Sequence, residues 1–308
     1  MNAELHGLVA ATHTPFNADG ALNLTAVEMQ AEHLLRNGVR MVFIGGSTGE
    51  SHSLGVAERL ALAERWAAVA KGSPLKIVVH AGANCLGDAR ALAGQAQQLG
   101  AAAVAALAPS YFKPATLDVL VQCCRMVAAA APALPFYFYD IPVLTGVRFS
   151  MPDFLDAASE QIPNLGGLKF TNPDLMAYQQ CLRSQNGRFD VPWGCDEYLL
   201  AALAVGARGA VGSSYNFAAP IYLRLIAAFQ KGDLASAREE QFRSVRVIHL
   251  LSKFGYMAAA KAVMEMLGVS VGPPRLPNAL LAPGRERELR SELEQIGFFE
   301  WLATDSTG

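Results

Sequence analysis

Short apolar segments alternate with longer helix-like segments along most of this chain, and the alternation limits its fold more than any other feature. The apolar segments have the length of strands and are predicted at Gly7–Ala11, Met41–Ile44, Ile77–His80, Ala102–Leu107, Pro135–Tyr139, Gly166–Phe170, Phe189–Trp193 and Gly209–Gly212. The intervening segments have faces rich in alanine and leucine, and helices are predicted at Thr25–Asn37, Val56–Lys71, Leu86–Leu99, Thr116–Ala130, Met151–Glu160, Pro173–Ser184, Glu197–Val205 and Ala219–Gln230. Eight strands therefore alternate with eight helices.

This alternation predicts an α/β fold with a parallel sheet covered by helices. A doubly wound sheet is the alternative, but eight units over about 230 residues match the count and size of a TIM (β/α)₈ barrel. After Gly232 the strand pattern stops, and helical patterns continue at Leu234–Phe254, Met257–Leu267 and Glu286–Ile296. We therefore predict a barrel over residues 1–231 and a C-terminal helical domain over residues 232–308.

Charge and composition exclude several classes of partner. The net charge of -2 offers no basic field for nucleic acid or for an anionic membrane, so a small molecule is the expected partner. The N-terminal residues lack the basic and apolar regions of a secretory signal, and no apolar run reaches the roughly 18 residues of a membrane span. Five cysteines without C-x-x-C spacing and six scattered histidines favour reduced cytoplasmic thiols and no metal site.

The second predicted strand ends in a loop of glycines and hydroxyls, Gly45-Gly46-Ser47-Thr48-Gly49-Glu50. Glycines let a ligand approach the backbone closely, so this loop has the outline of an anion pocket. An ordinary turn between a strand and a helix is the alternative. The loop lacks the lysine of a nucleotide P-loop and does not spell G-x-G-x-x-G, and a carboxylate fits it as well as a phosphate does.

Polar residues also lie near the carboxyl ends of later predicted strands, where a barrel has its active site. Lys169 occupies an apolar strand, where burial lowers the pKa of an amine and leaves it neutral enough to form a Schiff base with a carbonyl. A salt-bridged or phosphate-binding lysine is the alternative. A Schiff-base lysine beside a carboxylate pocket describes a site for a 2-keto acid.

Tyr139 ends the fifth predicted strand, and its phenol can relay a proton if it is hydrogen-bonded to a hydroxyl such as that of Thr48. A packing role for this tyrosine is the alternative. The adjacent acids Asp196 and Glu197 can bind substrate hydroxyls or a metal, or they can instead favour the N-terminus of the helix predicted there.

Five segments, taken in their order and spacing, carry a resemblance to a known family. They are Gly46-Ser-Thr-Gly-Glu50, Tyr139-Asp-Ile-Pro-Val-Leu-Thr-Gly146, Gly167-Leu-Lys-Phe-Thr171, Gly194-Cys-Asp-Glu197 and Gly212-Ser-Ser-Tyr-Asn216. Across essentially its whole length the chain resembles the pyruvate-dependent class I aldolases of the N-acetylneuraminate lyase and dihydrodipicolinate synthase family. The resemblance implies a TIM barrel with C-terminal helices, usually a homotetramer, and a covalent imine on the lysine in place of a cofactor.

The resemblance also implies roles for individual residues. Lys169 would form the imine with C2 of the substrate, Tyr139 would assist proton transfer at the C4 hydroxyl, and Tyr111 would reach a neighbouring subunit's site. Ser47 and Thr48 would hold the carboxylate, and Thr48 would also be a catalytic residue. The remaining substrate-binding positions are Thr171, Gly194, Asp196, Glu197, Gly212 and Ser213.

The residue at position 144 indicates which branch of the family the chain resembles. Synthases typically carry an arginine for their second substrate's carboxylate where this chain has Leu144, so the resemblance favours reversible cleavage of N-acetylneuraminate to pyruvate and N-acetylmannosamine. An aldolase or hydratase for another 2-keto-3-deoxy sugar acid, a dihydrodipicolinate synthase, and a catalytically silent binding protein are the alternatives. Ser47, Asp140 and Cys195 depart from the usual residues and leave the exact sugar acid open.

Overall fold

The computed structural model describes residues 4–303 and contains one sheet of seven parallel strands. The strands are β1 Gly7–Ala11, β2 Met41–Ile44, β3 Lys76–His80, β4 Ala103–Leu107, β5 Phe136–Asp140, β6 Leu165–Phe170 and β7 Gly209–Gly212. Their order around the sheet is β6-β5-β4-β3-β2-β1-β7, so the first strand pairs with the last. The sheet thereby forms a nearly closed barrel surrounded by helices, and the predicted TIM-barrel fold class is confirmed.

The prediction of a regular strand at Phe189–Trp193 is wrong. This segment fills the gap between β6 and β7 through isolated parallel bridges, with Asp190 opposite Gly167 and Trp193 opposite residues of both strands. Pro192 has no amide N–H to donate, and this limits regular pairing. The Cβ of any larger residue at position 167 would lie 1.7 Å from the Asp190 carbonyl oxygen, so only glycine allows the two backbones this close.

The described residues form thirteen α-helices, ten of which begin within the barrel sequence or just after it. These ten are α1 Ala26–Arg36, α2 Val56–Ala70, α3 Leu86–Gln98, α4 Leu117–Ala128, α5 Pro142–Thr145, α6 Met151–Gln161, α7 Leu175–Arg183, α8 Leu199–Ala204, α9 Tyr215–Gln230 and α10 Leu234–Lys253. The last three are α11 Tyr256–Met266, α12 Arg285–Ile296 and α13 Phe298–Trp301. The sequence patterns missed the short α5 and placed the start of α9 four residues late.

Side-chain caps fix where several helices begin. The Thr116 hydroxyl, the Asp174 carboxylate and the Asp233 carboxylate each accept a hydrogen bond from a backbone N–H in the first turn of α4, α7 and α10. Each cap satisfies an N–H group that the helix itself leaves unpaired. No helix among residues 4–303 combines the length and the apolar character that crossing a membrane requires.

Alternate residues of each strand face opposite sides of the barrel wall, because the side-chain period of a strand is two. The inner cluster includes Val9, Phe43, Val78, Leu107, Tyr137, Tyr139 and Val211. The other face packs against the helices and includes Leu8, Val42, Ile77, Val104, Phe138, Leu168 and Phe170. Because Leu168 and Phe170 face the helices, Lys169 between them faces the interior, and its Cα partner across the strand pair is Tyr139.

The C-terminal helices pack onto the barrel without a break in the core. Val247 and Leu250 of α10 and Val263 of α11 belong to the same buried cluster as the helix-facing residues of the barrel. The extension predicted from the sequence is therefore present as helices, while its boundary after residue 231 stays a prediction. All five cysteines are free thiols.

Candidate active site

A cavity of about 290 Å³ opens at the carboxyl ends of the strands, where the loops after β2, β5, β6 and β7 converge. Its lining residues are Ala11, Ser47, Thr48, Tyr139, Ile141, Lys169, Thr171, Gly194, Asp196, Glu197, Val211, Gly212, Ser213, Ile248 and Tyr256. Every site residue predicted from the sequence lies here except the predicted subunit-interface residue Tyr111. The closed parallel sheet explains this convergence, because it brings all strand ends to one rim.

Lys169 is the reactive amine of this cavity. Its side chain is only 3% exposed, and its Nζ lies 4.1 Å from the centroid of the Phe43 ring and 3.9 Å from that of Tyr139. Burial lowers the pKa of Lys169 to about 7, although the negative charge of Asp196 opposes this shift. None of the ion pairs within residues 4–303 involves Lys169, which argues against the salt-bridge alternative.

The low pKa of Lys169 predicts a particular pH dependence for imine formation. We expect the rate at which a small 2-keto acid such as pyruvate reacts with Lys169 to rise about tenfold between pH 6 and pH 8 and then to level off, because the neutral amine fraction saturates above its pKa. The measurement is borohydride trapping after timed mixing, with adducts counted by mass spectrometry. A rate that still climbs tenfold per pH unit at pH 9 would indicate a lysine of ordinary pKa.

Tyr139 places a phenol beside the amine. Burial raises the pKa of Tyr139 to about 12, so the phenol keeps its proton at neutral pH. The Ser47 hydroxyl lies 3.3 Å from the phenol and the Thr171 hydroxyl also interacts with it, whereas the sequence offered Thr48 as an example of such a partner. Thr48 lines the cavity as the neighbour of Ser47 in the loop, and only the fold of that loop decides which hydroxyl meets the phenol.

The loop of residues 45–50, here called the carboxylate loop, contributes Ser47 and Thr48 to the cavity lining. The N–H groups of Ser47, Thr48 and Gly49 have no hydrogen-bond partner among residues 4–303. A 3₁₀ turn at Ser51–Ser53 follows the loop before α2 begins, so these N–H groups are not the start of the helix. Free N–H groups next to hydroxyls suit an anion, because both are hydrogen-bond donors.

The far side of the cavity carries the two acids. The Asp196 carboxylate accepts hydrogen bonds from the N–H and the hydroxyl of Ser214, at the start of α9, and burial raises its pKa to about 6. Asp196 thus supports a helix start, although of a later helix than the sequence predicted. Glu197 is half-buried and lines the cavity beside it. The Cβ of any residue larger than glycine at position 212 would lie 1.8 Å from Asp196 Oδ1.

Thr171 and Gly194 are in close contact in the cavity wall. The Thr171 Oγ1 is buried, and its interaction with the Tyr139 phenol partly offsets the rise that burial causes in the pKa of Tyr139. A Cβ at position 194 would lie 2.0 Å from this oxygen, so glycine is required to leave room for the hydroxyl.

Five lining residues were missed by sequence reasoning, and two of these come from the C-terminal helices. Tyr256 of α11 places its phenol 2.7 Å from the Ser213 hydroxyl, and Ile248 of α10 lines the same end of the cavity. The sequence signal for both is an apolar helical periodicity, which indicates packing equally well. The C-terminal helices therefore form part of the cavity wall.

Three other residues singled out in the sequence stand apart from the cavity lining. Tyr111 is 78% exposed and packs edge-on against Phe112, with ring centroids 5.0 Å apart. Asp140 is buried, which raises its pKa to about 6, and its carboxylate accepts a 3.4 Å hydrogen bond from Asn172. Cys195 is half-buried, and burial raises the pKa of its thiol to about 12. Among residues 4–303, no group of three His, Cys, Asp or Glu side chains could hold a metal ion.

Comparison with known proteins agrees with this geometry. The model of the dihydrodipicolinate synthetase family matches residues 4–296. An N-acetylneuraminate lyase of Rattus norvegicus is 42% identical over 302 residues, which cover 97% of this chain and 94% of that protein. The solved N-acetylneuraminate lyase of Proteus mirabilis is 40% identical with a TM-score of 0.93, covering 96% of this chain and 99% of that one.

A synthase structure shares the fold at a lower identity. A dihydrodipicolinate synthase of Bacillus anthracis is 28% identical with a TM-score of 0.88, covering 96% of this chain and 99% of that one. The family match spans nearly all described residues, and the resemblance drawn from the sequence motifs is confirmed. This chain belongs to the dihydrodipicolinate synthetase family.

Proposed function

We propose that this protein is a Schiff-base aldolase, a carbon–carbon lyase that reversibly cleaves N-acetylneuraminate to pyruvate and N-acetylmannosamine. The observation that carries the proposal is Lys169, a buried lysine with a pKa of about 7, in a polar cavity beside the Tyr139 phenol. Relatives named N-acetylneuraminate lyase, about 40% identical over nearly the whole chain, support the choice of substrate.

The geometry supports a specific order of events. The neutral Lys169 amine attacks C2 of the keto acid, and loss of water gives a protonated imine that accepts electrons from the breaking bond. The C3–C4 bond breaks as the C4 hydroxyl loses its proton with help from the Tyr139 phenol. The Ser47 hydroxyl, which lies within hydrogen-bonding distance of that phenol, can relay the proton. The remaining enamine is protonated at C3, and hydrolysis releases pyruvate. The imine is the electron sink, so the reaction needs neither a metal nor an organic cofactor.

Each end of the substrate has a suitable partner in the cavity. The carboxylate fits the unpaired N–H groups of the carboxylate loop and the hydroxyls of Ser47 and Thr48. The sugar hydroxyls fit Glu197, Ser213 and Asp196, because carboxylate oxygens accept the hydrogen bonds that hydroxyls donate. Gly194 and Gly212 leave room for the Thr171 hydroxyl and the Asp196 carboxylate at the wall of the cavity.

A substitution at Gly212, which contacts Asp196, tests whether Asp196 binds the sugar hydroxyls. A methyl group in Gly212→Ala must displace the Asp196 carboxylate, at a cost of about 1–3 kcal/mol. We expect the KM for N-acetylneuraminate to rise by about tenfold or more, while the pyruvate concentration that half-saturates trapping on Lys169 changes little. Gly87→Ala is the matched control, because a Cβ there meets only Cys85 Sγ at an ordinary 3.6 Å. Equal losses for both ligands would contradict a role confined to the sugar.

The cavity lining distinguishes this function from the synthase reaction. A synthase must bind the carboxylate of a second, amino-aldehyde substrate, and a cation is the natural partner for it. Lys169 is the only cation among the described lining residues, and Leu144 is 63% exposed outside the lining. An aldolase for another 2-keto-3-deoxy sugar acid is the nearer alternative, because Asp140 and Cys195, which are not among the lining residues, depart from the usual family pattern.

The family resemblance extends the proposal to assembly and location. Tyr111 and Phe112 expose large aromatic rings, 78% and 86% accessible, on the loop after β4. Such a pair is suited to burial against another subunit. We infer a cytoplasmic homotetramer in which Tyr111 enters the site of a neighbouring subunit.

Trapping with N-acetylneuraminate tests the function directly. The protein is incubated with the sugar acid, reduced with borohydride and mapped by peptide mass spectrometry, while released pyruvate is assayed in parallel. The expected result is a pyruvate-sized adduct on Lys169 together with pyruvate release. If pyruvate traps on Lys169 but N-acetylneuraminate gives neither adduct nor product, the aldolase chemistry stands and the substrate is another sugar acid. Failure of both to trap would overturn the proposal.

A further inference from the structure

The carboxylate loop has a backbone shape that its own sequence does not favour. Glu50 adopts the left-handed conformation, with φ 54° and ψ 36°, which residues with a Cβ rarely adopt. The Glu50 N–H donates to the Ser47 carbonyl at 3.0 Å, and the Ser51 N–H donates to the Gly46 carbonyl at 3.2 Å. Such a disfavoured turn persists only where surrounding contacts hold it.

The surrounding contacts come from the C-terminal part of the chain and converge on the Glu50 side chain. Glu50 Oε1 lies 2.8 Å from the Lys261 ammonium of α11. Glu50 Oε2 accepts hydrogen bonds from the Arg275 N–H at 2.8 Å and from the Asn278 side chain at 3.1 Å. The side chains of Glu50 and Lys261 are 0% and 1% exposed, so neither charge has water as an alternative partner.

Lys261 connects the loop to two further segments. Its ammonium donates to the Thr14 carbonyl at 2.9 Å and to the Pro273 carbonyl at 3.1 Å. The Thr14 hydroxyl donates in turn to the Gly49 carbonyl inside the carboxylate loop, at 2.6 Å. A buried ion pair contributes little net stability, because desolvation of both charges offsets their attraction. Its more specific effect here is to fix the geometry of the segments that it joins.

We propose that Glu50 and Lys261 are positioning residues for recognition of the substrate's carboxylate. The ion pair holds the carboxylate loop in the one shape that turns the Ser47 and Thr48 N–H groups toward a common anion. Neither residue lines the cavity, so both act through the loop backbone. The inference rests on the proposed function, because the anion is the carboxylate of a 2-keto acid that reacts at Lys169.

Pyruvate trapping on Lys169 measures this positioning in the variants Glu50→Gln and Lys261→Met. We expect the half-saturating pyruvate concentration to rise about tenfold in each, with the maximal extent of trapping within about threefold of the unchanged protein. Methyl pyruvate carries the same ketone without the carboxylate charge, and its half-saturation should shift less than about twofold. Glu288→Gln, which alters an exposed ion pair on α12, is the matched control and should leave both values unchanged.

The double variant separates positioning from stability. Each single variant leaves one buried charge unpaired, whereas the double variant leaves none, so its thermal midpoint should return toward that of the unchanged protein. The half-saturating pyruvate concentration should stay raised. The proposal would be overturned if the half-saturating pyruvate concentration returned to normal in the double variant together with the thermal midpoint. An equal shift of the half-saturating concentration for methyl pyruvate would also overturn it. Absence of trapping in the unchanged protein would instead overturn the proposed function, and this inference with it.

Discussion

Lys169→Ala is expected to lower kcat for N-acetylneuraminate cleavage by at least about 10⁴-fold and to abolish borohydride trapping of pyruvate. The reason is that alanine removes the only nucleophile that can form the imine, and no other group in the described lining replaces its electron sink. Pyruvate release, followed with a coupled assay over hours, measures the residual rate. Turnover within a hundredfold of the unchanged protein would refute the imine mechanism.

Two further variants make the Lys169 result specific. Lys169→Arg keeps a positive charge at the position but supplies no neutral amine, because a guanidinium stays protonated, so it should be as inactive as the alanine variant. Lys76→Ala removes an exposed lysine at the first residue of β3, the opposite end of the barrel, and should keep full activity. Activity in the arginine variant would mean that Lys169 acts by charge and does not form a covalent bond.

Tyr139→Phe is expected to lower kcat by about 10²- to 10³-fold while pyruvate still traps on Lys169. The phenylalanine ring preserves the contact with the ammonium, whose Nζ lies 3.9 Å from the ring centroid, but it removes the phenol that assists the proton at C4. Imine formation and bond cleavage therefore respond differently. Single-turnover cleavage and the pyruvate-trapping rate, measured on the same preparation, separate the two steps.

Ser47→Ala gives a companion measurement for the relay. The Ser47 hydroxyl lies 3.3 Å from the Tyr139 phenol, so its loss should slow cleavage less than loss of the phenol itself. The double variant should be no slower than Tyr139→Phe alone, since the two groups act in one path. Parallel loss of trapping and cleavage in Tyr139→Phe would show that the tyrosine serves only to pack the site.

Local patterns in the sequence were enough for the fold class and for several of the residues around the site, among them Tyr139 and Lys169. Strand and helix periods depend on neighbouring residues, so they can be recognised without knowing the tertiary contacts. In a closed parallel barrel, strand ends share one rim, and this rule brings the carboxylate loop, Tyr139 and Lys169 together once the strands are located. The family motifs added the roles of those residues.

Distances between residues far apart in the sequence were decided only by the tertiary structure. The packing of the carboxylate loop brings the Ser47 hydroxyl, and not that of Thr48, within hydrogen-bonding distance of the Tyr139 phenol. The position of α9 allows the Asp196 carboxylate to accept a hydrogen bond from the Ser214 N–H. The irregular segment that closes the barrel depends on a backbone contact at Gly167 that no local period reveals.

The sequence by itself therefore determined the alternation of elements, the barrel, and a lysine near the end of an apolar strand. Only the tertiary structure decided that this lysine is neutral enough to react, because its pKa depends on burial by Phe43 and Tyr139 from two other strands. The tertiary structure also decided that the C-terminal helices supply Tyr256 to the cavity and Lys261 to the carboxylate loop. Periodicity is a local property, whereas desolvation and ion pairing arise from groups that only folding brings together.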